Sequence, residues 1–305
     1  VKLAIELRDN GKFISEIAPS FRANLDIIGK PTGKIDGASL VSGEPVFVED
    51  KVPENAYVMH VLRSPFAMAY VSEINTDKAE AIDGVESIIT YKNCPDIYYM
   101  QAGQGNPEPS PHDRRLINQK VRHVGDRVAA IVAKDIETAK KAAKLIEVKY
   151  EPLEPVFTVE EAMADNASLV HNGKVEYDVG APEGLDEYNK GSDARDGKVH
   201  YCFPLHGDPK HNIAAGAHGG IGDIEKGFAE ADAIVDETYQ TSQVQCTPLE
   251  PHVCYAHIEN SRLVLNCSTQ VPYHVRRIVS TVCNIPENKV HVIKERVGGG
   301  YGSKQ

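Results

Sequence analysis

A chain of 305 residues is long enough for about two domains, and its 41% hydrophobic and 25% charged residues are an ordinary globular balance. No window reaches the roughly 18 apolar residues of a membrane span, and a formal net charge of −11 with no offsetting lysine–arginine cluster argues against a nucleic-acid partner. The six cysteines (Cys94, Cys202, Cys246, Cys254, Cys267, Cys283) include no C-x-x-C pair, so zinc and iron–sulfur signatures are absent and reduced thiols in a cytoplasm are expected.

Residues 1–29 show weak periodicity and run into the breakers Gly29-Lys30-Pro31-Thr32-Gly33, which marks a leader. From Tyr57 to Arg63 and from Ala69 to Asn75 the alternation predicts strands, Asp77 to Ile82 a short helix, and Val85 to Tyr91 a third strand. Residues 102–115 are rich in glycine and proline and read as a loop. Arg127 to Ala133 is an apolar run suited to a buried strand, and Asp135 is placed to cap a helix whose apolar face is Ala139, Ala142, Ala143 and Ile146. A returning strand at Glu147 to Tyr150 and a helical turn at Val159 to Met163 close a first domain, 30–165, of α+β or α/β type.

Residues 166–221 read as a connector. The four histidines clustered within 200–218, His200, His206, His211 and His218, lack the spacing of a helical metal site, and solvated loop histidines are the plainer reading. Asp223 is placed to cap a helix with Ile224, Phe228 and Ala231 on its apolar face, and Ala233 to Gln240 alternates as a strand. Val253 to Ile258 and Arg262 to Cys267 predict a hairpin turning at Glu259-Asn260-Ser261. Pro272 opens a helix with a stripe of Val275, Ile278, Val279 and Val282, and a strand over 289–294 follows.

That strand leads into Gly298-Gly-Gly-Tyr-Gly-Ser-Lys304, four glycines in five positions. Glycine is costly to order, so such a run is expected where a backbone turns sharply or lets another group come close. Successive N–H groups in such a loop can cradle an anion. The dinucleotide fingerprint fails because Ser303 stands at the third glycine position, and the nucleotide-triphosphate loop fails because Lys304 lacks the surrounding GK[ST] residues. A glycine-rich surface turn is the plain alternative.

Several separated segments together resemble the molybdenum hydroxylase family, the xanthine dehydrogenase and aldehyde oxidase type. The closing loop is similar to the family's G-G-G-F-G-G-K loop, Ser268-Thr-Gln270 to its S-T-Q segment, and Glu250-Pro-His252 to its E-P-H. Lys34-Ile-Asp-Gly37, Leu62-Arg-Ser-Pro65, Val121-Arg-His-Val-Gly125 and Val148-Lys-Tyr-Glu-Pro152 resemble its small hammerhead domain. The resemblance implies an α+β chain: a hammerhead-like α/β domain, then, over 222–305, the amino-terminal part of a mixed α/β molybdopterin-binding domain.

It further implies hydroxylation of an aromatic heterocycle or aldehyde with water as oxygen source. Molybdenum–molybdopterin, in a dinucleotide form, would sit against Gln270, Gly299, Gly300, Tyr301 and Gly302. The Gln270 amide would donate to a metal oxo group, and the loop N–H groups would face the cofactor. Gln305 falls where xanthine-oxidising relatives carry a substrate-contacting glutamate, which opens the substrate class. Leu249 replaces the methionine usual before E-P-H, and Ala214 to Gly220 stand as extra loop. No direct metal ligand is implied, and no catalytic base within this chain. The remainder of the molybdenum subunit, a 2Fe-2S subunit and an FAD subunit are implied as partners. The rival from another class is a non-catalytic anion- or nucleotide-binding module of a larger complex.

Overall fold

The computed structural model describes residues 31–99, 114–171, 209–213 and 222–305. The leader, most of the 102–115 loop, the extra loop at 214–220 and the histidines at 200, 206 and 218 therefore lie outside the described residues. The chain divides into two compact units, Val1–Val46 and Phe47–Gln305. The described part of the first contains helix α1 (Gly37–Ser42), which ends on Gly43 in the left-handed conformation (φ 73°).

In the second unit, strands β1 (Val58–Arg63), β2 (Ala69–Asn75) and β3 (Val85–Thr90), with helix α2 (Asp77–Glu80) before β3, are followed by β4 (Lys120–Val121) and β5 (Arg127–Ala133). Helix α3 (Ile136–Ala143), β6 (Glu147–Pro152) and helix α4 (Val159–Met163) come next. They form two antiparallel three-stranded sheets, ordered β1-β5-β3 and β4-β2-β6. The apolar run of β5 predicts a strand covered on both faces, and Val128, Ala129, Ile131 and Ala133 are all at most 1% exposed. Ala139, Ala142 and Ala143 of α3 belong to the same core, small enough on both sides for helix and sheet to approach closely. The cap is as expected: the Asp135 carboxylate accepts from Thr138 N at 2.7 Å.

The chain then continues through helix α5 (Ile224–Ala229), hairpin strands β7 (Cys254–Glu259) and β8 (Arg262–Cys267), helix α6 (Pro272–Cys283) and strand β9 (Val290–Lys294). The hairpin turns on Asn260 and Ser261, both with positive φ (49° and 59°), as a two-residue primed turn requires. Strand β8 is central, antiparallel to β7 and parallel to β9. A parallel return needs a long crossover, which α6 supplies. Pro272 starts that helix, and Asn284 ends it in the left-handed conformation (φ 51°). Among the described residues no helix is long and apolar enough to cross a membrane.

Two expectations fail here and a third holds in part. Ala233 to Gln240 is not a strand, because no described residue pairs with it and alternation alone cannot satisfy a strand's backbone. The apolar face of α5 is not buried: Ile224 is 69% and Phe228 56% exposed, since nothing described lies over it. On α6 the expected stripe is half-buried except at Val282, and His274 is buried with it.

Candidate functional site

The site follows from the parallel pairing of β8 with β9. Their register, Leu263↔Val290 through Cys267↔Lys294, brings both carboxyl ends to one edge of the sheet. Such ends are where ligands bind in open α/β sheets. Leaving β8 is Ser268-Thr269-Gln270, and leaving β9 is the glycine loop.

A polar clasp joins the two. Lys304, 3% exposed, places Nζ 2.6 Å from Glu250 Oε2 and donates to Ser268 Oγ at 2.9 Å. Ser268 Oγ donates to Glu250 Oε2 at 2.5 Å, and Gly298 N donates to the same oxygen at 2.8 Å. Glu250 N in turn donates to Gly298 O at 3.1 Å. Burial acts to raise the Glu250 pKa, but the hydrogen bonds from Lys304, Ser268 and Gly298, with the Lys304 charge, outweigh it and hold the carboxyl below its ordinary value. The carboxylate is therefore a fixed anion that ties the start of the glycine loop to the residues before β7. Lys304 O accepts from Gln270 N at 2.8 Å and from Thr269 Oγ1 at 3.1 Å, so the loop's far end is pinned as well. His252 Nε2 lies 2.7 Å from Ser303 O.

Within this frame, Gln270 Oε1 accepts from Gly302 N at 3.0 Å. That bond settles which end of the amide is which. Gln270 Nε2 makes no hydrogen bond to a described residue and the side chain is exposed, so its donor is available to a ligand. Gly300 is required by this contact, since a Cβ there would stand 2.6 Å from Gln270 Oε1. Gly299 has φ +98°, a conformation that side chains rarely adopt. The amides of Gly299, Gly300 and Tyr301 donate to no described residue.

Of the residues singled out from the sequence, Gln270 and Gly299 to Gly302 come together. The expectation that the Gly302 N–H faces a ligand is revised, because Gln270 Oε1 already accepts from it. Gln305 is exposed and follows directly on the Lys304 carbonyl held by Gln270. His211 lies 3.4 Å from Asp165, and no described group of three or more His, Cys, Asp or Glu is arranged to hold a metal. The sequence reading missed the ion pair of Glu250 and Lys304. Their separation of more than fifty residues leaves no periodic trace.

This loop, with its free amides and a Cβ-intolerant contact to Gln270, fits a polar cofactor edge better than a bare surface turn. Residues 205–305 match the family model of the molybdopterin cofactor-binding domain. Residues 42–154 match that of the aldehyde oxidase and xanthine dehydrogenase a/b hammerhead domain. The chain is 49% identical over 305 residues to a probable hypoxanthine oxidase XdhD of Escherichia coli O157:H7, covering 100% of this chain and 32% of the relative. It is 31% identical over 277 residues to the xanthine dehydrogenase molybdenum-binding subunit of the same organism, covering 89% of this chain and 32% of that protein. The chain thus spans about a third of the length of these relatives. Among solved structures, reconstituted CO dehydrogenase from Oligotropha carboxidovorans superposes with a TM-score of 0.66 at 25% identity, covering 90% of this chain and 32% of that one. With two successive domains of one family matched over most of its length, the chain belongs to the molybdenum hydroxylase family of xanthine dehydrogenase and aldehyde oxidase type, within the molybdopterin-binding subunit.

Proposed function

We propose that the chain forms part of the molybdenum-cofactor subunit of a hydroxylase that oxidises an aromatic heterocycle or aldehyde with oxygen from water. The observation that carries this reading is the Gln270 amide, fixed by Gly302 N at 3.0 Å with its NH2 end open beside a glycine loop. A neutral donor held in this way can meet an electronegative ligand without adding charge or competing as a strong ligand. Gly299, Gly300 and Tyr301 would hold a polar edge of the cofactor through their backbone N–H groups, and Gln305 would contact the substrate. When bound, the molybdenum–pterin group supplies the two-electron redox chemistry; the chain's own part is to orient it and hold its polar edge.

A dinucleotide form of the cofactor is part of this reading, as are 2Fe-2S and FAD partners that accept the electrons. The relatives named as a hypoxanthine oxidase and a xanthine dehydrogenase subunit support such a substrate class and assembly. The free thiols of Cys94, Cys246, Cys254, Cys267 and Cys283 suit a cytoplasmic setting. Metal and pterin analysis of the assembled protein tests the proposal. Molybdenum with pterin in equal amount is expected, and a fully assembled preparation containing neither would overturn it in favour of a non-catalytic anion-binding module.

A further inference from the structure

The β7–β8 hairpin pairs Cys254 directly with Cys267. The turn fixes the kind of pair. A two-residue hairpin closes on a hydrogen-bonded pair, here Glu259↔Arg262, and pairs alternate from there. Counting back along the register makes Cys254↔Cys267 a non-hydrogen-bonded pair. The bond from Ser268 N to Val253 O, at 3.1 Å, belongs to the next pair outward and agrees with this count.

In such pairs the Cα atoms lie about 4.5 Å apart and the side chains are at their closest. That separation falls within the roughly 4.4–6.8 Å that a disulfide spans. The two thiols are near enough to perturb each other's ionisation, Cys254 upward and Cys267 downward. Both are free, Cys254 exposed and Cys267 half-buried. Neither has a part in the clasp or the glycine loop, yet Ser268, which donates to Glu250, follows Cys267 directly.

We propose that Cys254 and Cys267 form a redox-sensitive modification site that closes to a cross-strand disulfide on exchange with a low-molecular-weight disulfide. The Cys267 thiolate attacks one sulfur of the external disulfide, and one thiol leaves. Cys254 then loses its proton and attacks the Cys267 sulfur of the mixed disulfide, expelling the second thiol. Two protein thiols are oxidised by two electrons in all, and one external disulfide is reduced to two thiols. The neighbouring thiol is the largest cause holding the Cys267 pKa below and the Cys254 pKa above the ordinary value, directions that favour Cys267 as the attacking group and Cys254 as the resolving one.

The test uses the assembled enzyme, treated with glutathione disulfide, alkylated with iodoacetamide and digested with trypsin. Cleavage after Lys226, Arg262 and Arg276 leaves Cys254 on one peptide together with Cys246 and Cys267 on another, so the two peptides stay joined only through a disulfide from Cys267 to one of those two. Loss of alkylation at both positions is expected, with one linked pair that dithiothreitol separates. Cys246→Ser should keep the link and Cys254→Ser should abolish it. Full alkylation of both cysteines after oxidation, a link through Cys246, or a stable mixed disulfide at Cys267 would each overturn the proposal. If Cys254→Ser does not fold, fragment mapping of the wild-type linked pair decides between Cys254 and Cys246.

Discussion

Strands β5 and β8 each sit at the centre of a three-stranded sheet, yet what is buried around them differs in kind. Around β5 the core is alanine, valine and isoleucine from two sheets and two helices. Around β8, Val264 and Leu265 are buried at 2% and 7% exposure, but the residues that follow, Ser268 and Thr269, are polar and equally buried at 5% and 3%. The first sheet is held by area removed from water, which tolerates repacking. The second ends in a charge-assisted clasp, in which each group has few acceptable partners. A region of that kind is suited to hold a loop in one geometry, and a region of the first kind is suited to be a scaffold.

The largest effect should come from breaking the clasp on one side only. Lys304→Met leaves the Glu250 carboxylate, 12% exposed, without its cation. Removing one partner of a buried pair typically costs about 3–5 kcal/mol, and we expect chemical denaturation to show a loss of that order together with reduced cofactor content. The double variant Glu250→Gln/Lys304→Met should recover much of the stability, because a neutral amide oxygen can still accept from Ser268 and Gly298. No recovery would mean that Lys304 acts by packing alone. Acidification probes the same pair. The Glu250 pKa is lowered on folding from an ordinary 4.5, so its stabilisation is full above that pH and is lost as pH falls through the lower folded value. A pH titration of stability should show this acid loss in the wild type and not in the double variant.

Ile131→Ala addresses the other side of the comparison. At 0% exposure in the β5 core, the truncation should cost roughly 3 kcal/mol with the cavity included. Turnover per molybdenum should be unchanged, measured below the melting temperature. A fall in turnover per molybdenum would show that the two regions are coupled.

The same comparison explains which parts were legible in the sequence. Period-two alternation and the alanine spacing of α3 report burial, so β1 to β3, β5, α3 and their cap could be read directly. The Asn260-Ser261 turn and Pro272 likewise fixed β7, β8 and α6. Burial periodicity is blind to whether a partner is present, which is why Ala233 to Gln240 and the face of α5 read as packed elements and stand exposed. It is equally blind to polar pairs distant in the chain. The motif letters identified Glu250, Ser268 and Lys304 as belonging to a pattern, and only the fold brings them onto one oxygen.

A smaller change should separate geometry from stability. In Gly300→Ala the new methyl group would meet Gln270 Oε1 at 2.6 Å. The flexible amide must move, so folding should change by only about 1 kcal/mol, while turnover falls toward that of Gln270→Ala. Loss of one positioned donor near developing charge costs on the order of 100-fold in rate. Steady-state kinetics at full molybdenum loading would check this, and an unaltered rate in either variant would remove Gln270 from the cofactor's surroundings.

The smallest expected effect is at Gln305, and it is electrostatic. Its exposed side chain has one donor and one acceptor end and no charge. If it faces the substrate, an acidic heteroaromatic or aromatic carboxylate meets no repulsion there, and Gln305→Glu would introduce one. At an exposed position the interaction between two charges is worth about 1 kcal/mol at most, roughly fivefold in kcat/KM. The effect should appear for an acid and vanish for its matched amide, and it should shrink as salt is raised. Folding stability should not change, since Gln305 has no part in the clasp that holds Lys304. Comparing kcat/KM for the acid and the amide at low and high ionic strength isolates the charge from any steric effect, and an equal loss on both substrates would place Gln305 away from the substrate's charged group.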